Sequence, residues 1–129
     1  MRQIYQSLLT AIWLFVGLDC LSYSTYVEAD ELFAVTLSVD MSHENLGSND
    51  VVYVNGTNHS SQEGGFGEWC GSCIAMNDLD GDKIWTITHE VPAGTYSYKF
   101  TVNGWDSQEA VPADCGLTSG QFVNRQVVV

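Results

Sequence analysis

The sequence has few basic residues and none of the common catalytic motifs. Only four of its 129 residues are Lys or Arg, against 16 Asp or Glu, and the formal net charge is −12. Because proteins neutralise nucleic-acid phosphates with Lys and Arg, this balance argues against DNA, RNA or an anionic membrane as a partner. The sequence also lacks the Gly-x-Ser-x-Gly, His-Glu-x-x-His and phosphate-loop patterns. We therefore expect a protein that is not an enzyme, needs no cofactor and binds no nucleic acid.

An apolar run near the N-terminus is too short to span a bilayer. It covers residues 8–18 and follows a single basic residue, Arg2, whereas a membrane-spanning helix needs about 20 apolar residues. A basic start, a short apolar middle and small residues at Val27 and Ala29 are typical of a secretory signal peptide. We predict cleavage after Ala29, so that the protein is secreted or periplasmic. The alternatives are a lipid-modified Cys20, which the charged residue before it argues against, and an uncleaved membrane anchor.

The rest of the chain, residues 30–129, is predicted to fold as one all-β domain. It carries 14 acidic and three basic residues, and its size is near the commonest size of a single domain. Short runs that alternate apolar and polar residues are separated by turn residues, and no segment shows a helical period. The predicted strands are 33–41, 51–54 (ending at the turn signal Asn55-Gly56), 84–89, 96–102 and 122–129. Several short strands of this kind indicate a β-sandwich whose apolar faces meet in one core.

The alternation also predicts which faces are buried. It places Val35, Leu37, Val39 and Met41 on one face of the first strand, and Tyr96, Tyr98, Phe100 and Val102 on one face of the fourth. Lys99 lies on the opposite face of the fourth strand and is predicted to point away from the core. Trp85 shares a face with Ile87 and is predicted to lie in the core.

A Cys-x-x-Cys pair follows Trp69. The segment Trp69-Cys70-Gly71-Ser72-Cys73 differs by one residue from the thioredoxin active-site sequence, whose reactive cysteine needs a helix N-terminus in a βαβ unit. The residues after Cys73 show no helical face. We therefore prefer a structural disulfide, with a thiol-disulfide oxidoreductase as the less favoured alternative. The third cysteine of the domain is Cys115, and we expect a bridge to it from Cys70 or Cys73, although the pattern does not choose between them.

Acidic residues alternate along Asp78-Leu79-Asp80-Gly81-Asp82, as they do in calcium-binding loops. An EF-hand loop needs Gly at its sixth position and Glu at its twelfth, and Lys83 and His89 stand there instead. A turn that favours Asp and Gly is the better interpretation, and Asp78, Asp80 and Asp82 remain a weak calcium candidate. The three histidines show no spacing typical of zinc.

An ordered set of segments resembles a known family. The segments are Tyr53-Val54-Asn55-Gly56, Asp80-Gly81-Asp82, Ile84-Trp85-Thr86-Ile87, Val91-Pro92-Ala93-Gly94-Thr95-Tyr96, Tyr98-Lys99-Phe100, Val102-Asn103-Gly104-Trp105 and Asn124. In this order they resemble the starch- and glycogen-binding modules of glycogen-branching enzymes and of the AMP-activated kinase β subunit. The resemblance covers residues 35–129. It departs from the family between Gly56 and Cys73, where a longer stretch rich in Gly, Ser and Asn stands.

The resemblance implies an early-set immunoglobulin-like β-sandwich that binds a polysaccharide or oligosaccharide, with α-glucan as the ligand class. It also implies a glycoside hydrolase acting on the same glycan as a partner, and four sugar contacts: Trp69, Lys99, Trp105 and Asn124. These residue types suit a sugar, because aromatic rings stack on the C–H face of a pyranose while its hydroxyls need donors and acceptors.

The alternative is a structural or protein-interaction sandwich that has the fold without a sugar site. The two hypotheses differ at Trp69 and Trp105. A sugar site requires both rings to be exposed on one surface with Lys99 between or beside them, and the hypothesis fails if both rings are buried.

Overall fold

The computed structural model describes residues 31–59 and 64–129. The predicted signal peptide, residues 1–29, lies outside these ranges. The described residues form eight strands and a short 3-10 helix, Gly67–Trp69. The strands are β1 Leu32–Asp40, β2 Val52–Gly56, β3 Ile74–Ala75, β4 Ile84–Pro92, β5 Thr95–Val102, β6 Ser107–Gln108, β7 Leu117–Ser119 and β8 Phe122–Val128. No helix in these two ranges is long and apolar enough to cross a membrane.

The strands form two antiparallel sheets. β1 pairs with β4 in a two-stranded sheet, with Leu32 opposite Pro92 and Asp40 opposite Ile84. The larger sheet has the strand order β3-β2-β5-β8-β7. β8 pairs with the first half of β5 and β6 with its last two residues. The prediction of an all-β sandwich is confirmed.

The core lies between the two sheets and uses the faces that the alternation predicted. β1, β2 and β5 contribute most of it, and Trp85 packs against it from β4 while partly buried. The buried apolar residues of this core are Leu37, Met41, Val52, Val54, Phe66, Met76, Val91, Tyr96 and Phe100. Phe66 is the unexpected member. Its ring meets Tyr96 edge-on at 5.6 Å between centroids, so the Gly-rich stretch before the cysteines is pinned into the core by an aromatic side chain.

The turn predicted at Asn55-Gly56 does not form, and this prediction is wrong. Both residues continue β2 and pair with β5. Gly56 donates its backbone N–H to the carbonyl oxygen of Phe66 at 2.7 Å. An ideal Cβ on Gly56 would lie 2.3 Å from the carbonyl oxygen of Ser97. Glycine is therefore needed here because two chain segments approach closely, not because the chain turns.

The aspartate-rich segment between β3 and β4 forms a turn held by its own carboxylates. Asp78 accepts hydrogen bonds from the backbone N–H groups of Gly81 at 2.9 Å and Lys83 at 3.1 Å. Asp80 and Asp82 each accept one from the backbone N–H two residues further on. These bonds support the predicted turn. Carboxylate oxygens of the three aspartates lie within 4.8 Å of one another, and the weaker calcium hypothesis stays a prediction.

Replacing Gly56 with Ala is expected to destabilise the sandwich by about 3 kcal/mol, because the added methyl group meets backbone atoms of β5 that cannot move independently. The matched control is Gly81→Ala. A Cβ at Gly81 has no neighbour within 4 Å, but the residue has a φ of +75°, so only about 1 kcal/mol is expected to be lost. Urea unfolding of the two variants measures the difference, and equal losses would contradict the crowding at Gly56.

Candidate functional site

A cavity of about 370 Å³ lies on the face of the larger sheet that turns away from the core. Aromatic rings, hydroxyl and amide side chains and one lysine line it: Thr57, Trp69, Ser97, Lys99, Trp105, Gln108, Ser119, Phe122 and Asn124. The four sugar contacts predicted from the sequence therefore lie together at one place. Among the described residues, none that lines the cavity is acidic.

Lys99 lies on the outer face of β5, as predicted, because its neighbours Tyr98 and Phe100 pack against the core. It is not solvated, however, since only 6 % of the residue is exposed. Its Nζ donates one long hydrogen bond, 3.5 Å, to Oε1 of Gln108, and no described residue forms an ion pair with it. An ammonium group can donate three hydrogen bonds. Lys99 thus has donor capacity left for a ligand in the cavity.

Asn124 reaches the same face from β8, where it pairs with Leu117 of β7. The residue is 8 % exposed, and its carboxamide makes no hydrogen bond within the described part of the chain. A carboxamide both donates and accepts. Asn124 can therefore bind a hydroxyl group in either direction.

Trp69 and Trp105 form a pair at the cavity. Their ring centroids are 6.5 Å apart and their planes are tilted by 34°. Nε1 of Trp105 donates to the backbone carbonyl oxygen of Trp69 at 3.3 Å. Trp105 is 45 % exposed and Trp69 is partly buried. The two rings thus form one aromatic platform in the same cavity as Lys99, with Trp105 exposed and Trp69 partly so.

The loop that carries Trp69 has an unusual backbone. Gly67, Glu68 and Trp69 have φ angles of +79°, +44° and +60°, a left-handed conformation that costs a non-glycine residue roughly 1–2 kcal/mol. Asn58 holds this turn, since its Oδ1 accepts the backbone N–H groups of Gly67 and Glu68, both at 3.1 Å. Strained backbone that its surroundings hold in place is common at functional sites. Here the strained backbone fixes the position and direction of the Trp69 side chain.

The buried side chain of Asn55 fixes the next part of the same loop. Its Oδ1 accepts the N–H of Gly71 at 2.6 Å, and its Nδ2 donates to the carbonyl oxygen of Gly71 at 2.9 Å. Nδ2 also donates to Oγ1 of Thr101 at 2.7 Å. Trp105 packs directly on this residue, because an ideal Cβ on Gly71 would lie 2.8 Å from the indole ring. Gly71 is therefore bound to the sheet on one side and covered by Trp105 on the other.

Asn103 holds the hairpin turn between β5 and β6 that carries Trp105. Its Oδ1 accepts the backbone N–H of Val51 at 3.0 Å, and its Nδ2 donates to Oδ1 of Asp50 at 2.8 Å. The hydrogen bond from Asn103, and then the one from the backbone N–H of Gly47, hold the pKa of Asp50 below its usual value. Asparagine tolerates the left-handed φ of +50° found at this position. The Trp105 turn is thus tied to the segment that leads into β2.

The disulfide joins Cys70 to Cys73, whose Cα atoms are 5.9 Å apart. The expected bridge to Cys115 is wrong, since Cys115 is a free, exposed thiol. Cys70 and Cys73 flank Gly71, which is hydrogen-bonded to Asn55 of the larger sheet, whereas Cys115 lies in the separate connection between β6 and β7. The described ranges contain no α-helix, so Cys70 lacks the helix N-terminus that thioredoxin-like chemistry uses.

Sequence reasoning missed five residues that line the cavity: Thr57, Ser97, Gln108, Ser119 and Phe122. The alternation of residues along the strands could have identified two of them. Ser97 shares a strand face with Lys99, and Phe122 shares one with Asn124. Phe122 is 52 % exposed and begins β8, after a hairpin turn, so it adds a third aromatic ring to the site. Gln108 carried no such signal, because only the pairing of β6 with β5 brings it to Lys99.

Comparison with known proteins identifies the family of this chain. Residues 51–121, more than half of the chain, match the pullulanase X25 domain, and this is a family of carbohydrate-binding, immunoglobulin-like modules. None of the curated proteins compared with the chain matches it. The matched range contains both tryptophan loops and the disulfide and ends just before β8. The narrower likeness to the modules of glycogen-branching enzymes and the kinase β subunit stays a prediction. The chain belongs to the pullulanase X25 domain family.

Proposed function

We propose that this domain binds α-glucan without catalysis, through the face that carries Trp69, Lys99, Trp105 and Asn124. One observation carries the proposal. Four residues far apart in the sequence line a single cavity of about 370 Å³ and combine stacking surfaces with hydrogen-bonding groups. A sugar ring needs both, because it has an apolar C–H face and polar hydroxyls at its edge.

The composition of the cavity favours a neutral ligand that is rich in hydroxyls. Serine, threonine, glutamine and asparagine side chains offer donors and acceptors, and the described lining has no carboxylate. Lys99 can donate to a sugar hydroxyl or ring oxygen. An apolar ligand would leave the buried polar groups of Lys99 and Asn124 without further partners, which is costly.

The tilt of the two indoles favours an α-linked chain. The two indole planes are 34° from parallel, and successive rings of an α-1,4-glucan also turn with respect to one another, because the chain is helical. A β-1,4-glucan is a flat ribbon that suits coplanar rings. The membership in the pullulanase X25 domain family supports the same ligand class.

A non-catalytic role fits the chemistry of the site. Most glycoside hydrolases use two carboxyl groups on either side of the scissile bond, and the described residues that line this cavity offer none. We propose that the domain is exported and holds polysaccharide that a separate glycoside hydrolase degrades.

The proposal is tested by affinity electrophoresis of the folded domain in gels with starch, glycogen, laminarin or hydroxyethylcellulose. We expect retardation by starch and glycogen alone. Unretarded migration in all four gels would contradict sugar binding and leave a structural or interaction role. Retardation by laminarin or cellulose alone would contradict the α-glucan assignment.

Truncation of either tryptophan is expected to abolish the retardation. Trp105→Ala and Trp69→Ala should each cost about 2 kcal/mol of binding free energy, or roughly 30-fold in affinity, as buried aromatic contacts do. The control is Phe33→Ala, which truncates a similarly exposed aromatic, 41 % against 45 % for Trp105, on the other sheet. Calorimetric titration with maltoheptaose measures the change. Equal loss in the Phe33 variant would mean that the effect is not local to the site.

Lys99→Met is expected to weaken glycan binding without lowering the stability of the fold. It should lower the affinity for maltoheptaose about tenfold, because one charged donor is lost. The thermal midpoint should stay the same or rise, since a buried ammonium with one long hydrogen bond is costly to the folded state. Lys83→Met, at an exposed lysine in the β3–β4 connection, is the control and should change neither quantity. A lower midpoint with unchanged affinity would assign Lys99 a structural role.

Phe122 is expected to contribute to the binding of long chains only. It lines the cavity from a different hairpin than the two tryptophans, so a disaccharide stacked on the tryptophan pair leaves it uncovered. Phe122→Ala should lower the affinity for maltoheptaose about fivefold, or roughly 1 kcal/mol, and leave that for maltose within about twofold. Val128→Ala, at an exposed residue of the same strand, is the control. An equal loss for both sugars would place Phe122 in the same subsite as the tryptophans.

A further inference from the structure

We propose that the Cys70–Cys73 disulfide makes this binding face responsive to redox conditions. In the disulfide form the loop holds Trp69 and Trp105 as a pair, and reduction releases them and weakens glycan binding. The inference rests on the proposed function for its effect on affinity. Its effect on the tryptophan pair stands independently of any ligand.

The loop closed by the disulfide is in direct contact with the tryptophan pair. Trp69 precedes Cys70 in the chain, and Gly71, inside the disulfide ring, is the residue on which Trp105 packs. The hydrogen bond from Nε1 of Trp105 to the carbonyl oxygen of Trp69 joins the two parts at 3.3 Å. A change in the conformation of residues 70–73 therefore reaches both rings through direct contacts.

The disulfide constrains this loop rather than the whole domain. A ring closed by cysteines three positions apart removes less entropy from the unfolded chain than a long loop does. The sandwich has its own anchors close by. Phe66 is buried in the core, and its backbone bonds to Gly56 and Thr57 do not involve the cysteines. Reduction should consequently leave the sheets folded.

Both cysteines are exposed and open to attack by a thiolate. The reductant that we propose is a dithiol. One of its thiolates attacks either sulfur and displaces the other cysteine as a thiolate, forming a mixed disulfide. Its second thiolate then displaces the remaining cysteine and closes the reductant's own disulfide. Two electrons pass to the protein, and two protons from the dithiol convert the two cysteine thiolates to thiols.

Reduction weakens binding because the loop must then be ordered by the ligand. The left-handed backbone at Glu68 and Trp69 is unfavourable by itself. With Cys70 and Cys73 unlinked, the covalent constraint is lost and the loop is held by hydrogen bonds, chiefly those of Asn55 to Gly71 and of Asn58 to Gly67 and Glu68. Ordering side chains at a binding surface lowers affinity, and for two indoles and their loop we expect a loss of about tenfold.

The test compares disulfide and dithiol forms of a Cys20→Ser, Cys115→Ser variant, so that the only cysteines left in the sequence are Cys70 and Cys73. Reduction by dithiothreitol is verified by counting free thiols and by measuring the mass of the protein. Circular dichroism in the indole bands reports the coupling of two rings 6.5 Å apart, thermal unfolding reports the fold, and titration with maltoheptaose reports affinity. The control is the same variant with Cys70→Ser and Cys73→Ser, which should behave as the reduced form with or without dithiothreitol.

We expect loss of the exciton signal and about tenfold weaker binding on reduction, with cooperative unfolding retained. An unchanged exciton signal and an affinity within about twofold would overturn the inference, and so would loss of cooperative unfolding, because the disulfide would then support the whole fold. If the oxidised protein binds no glucan, the proposed function fails. The exciton signal still decides whether the disulfide controls the tryptophan pair.

Discussion

The binding face depends on two hydrogen bonds between one side chain and one glycine residue. The carboxamide of Asn55 is 1 % exposed, and burying it without partners would cost several kcal/mol. Gly71 supplies an N–H at 2.6 Å and a carbonyl oxygen at 2.9 Å, and Oγ1 of Thr101 accepts a third hydrogen bond at 2.7 Å. The disulfide loop thus provides the donor for Oδ1 of Asn55, and Asn55 in turn holds the loop against the sheet. The tryptophan pair depends on this contact through Gly71, the residue on which Trp105 packs.

The site carries several unfavourable features that the sandwich tolerates. Glu68 and Trp69 have left-handed backbone, and Lys99 is almost buried with one long hydrogen bond. Neither feature adds to the stability of the fold, but both place groups where a ligand can reach them. Features of this kind gather where function, rather than stability, decides the sequence. The hydrophobic core has neither feature, because it is built mainly from apolar side chains at alternating positions along the strands.

The strands could be predicted from the sequence, whereas the loop that completes the site could not. Alternation in β1 and β5 identified the core face and the outward position of Lys99, because each strand residue faces the opposite side from its neighbour. Asn55-Gly56 has the composition of a turn, and only the close approach of Ser97 and Phe66 makes it a strand. The pairing of the cysteines depended in the same way on tertiary contacts. Nothing in the local pattern around Cys70 indicates that Asn55, earlier in the chain, holds its neighbour Gly71.

The distribution of charge predicts a selectivity, under the proposed function, that the shape of the cavity does not supply. Three basic residues lie in the described part of the chain. Lys83 is exposed in the β3–β4 connection, Arg125 is bound through its Nε to Glu109 at 2.8 Å, and Lys99 alone lines the cavity. A neutral glycan approaches a chain of net charge −12 without electrostatic cost. A uronate- or sulfate-bearing glycan is repelled over about a Debye length and finds only one cation to offset this. Because the described carboxylates lie outside the cavity, we expect the same charges to disfavour anionic polymers and to leave the aromatic platform open to neutral ones.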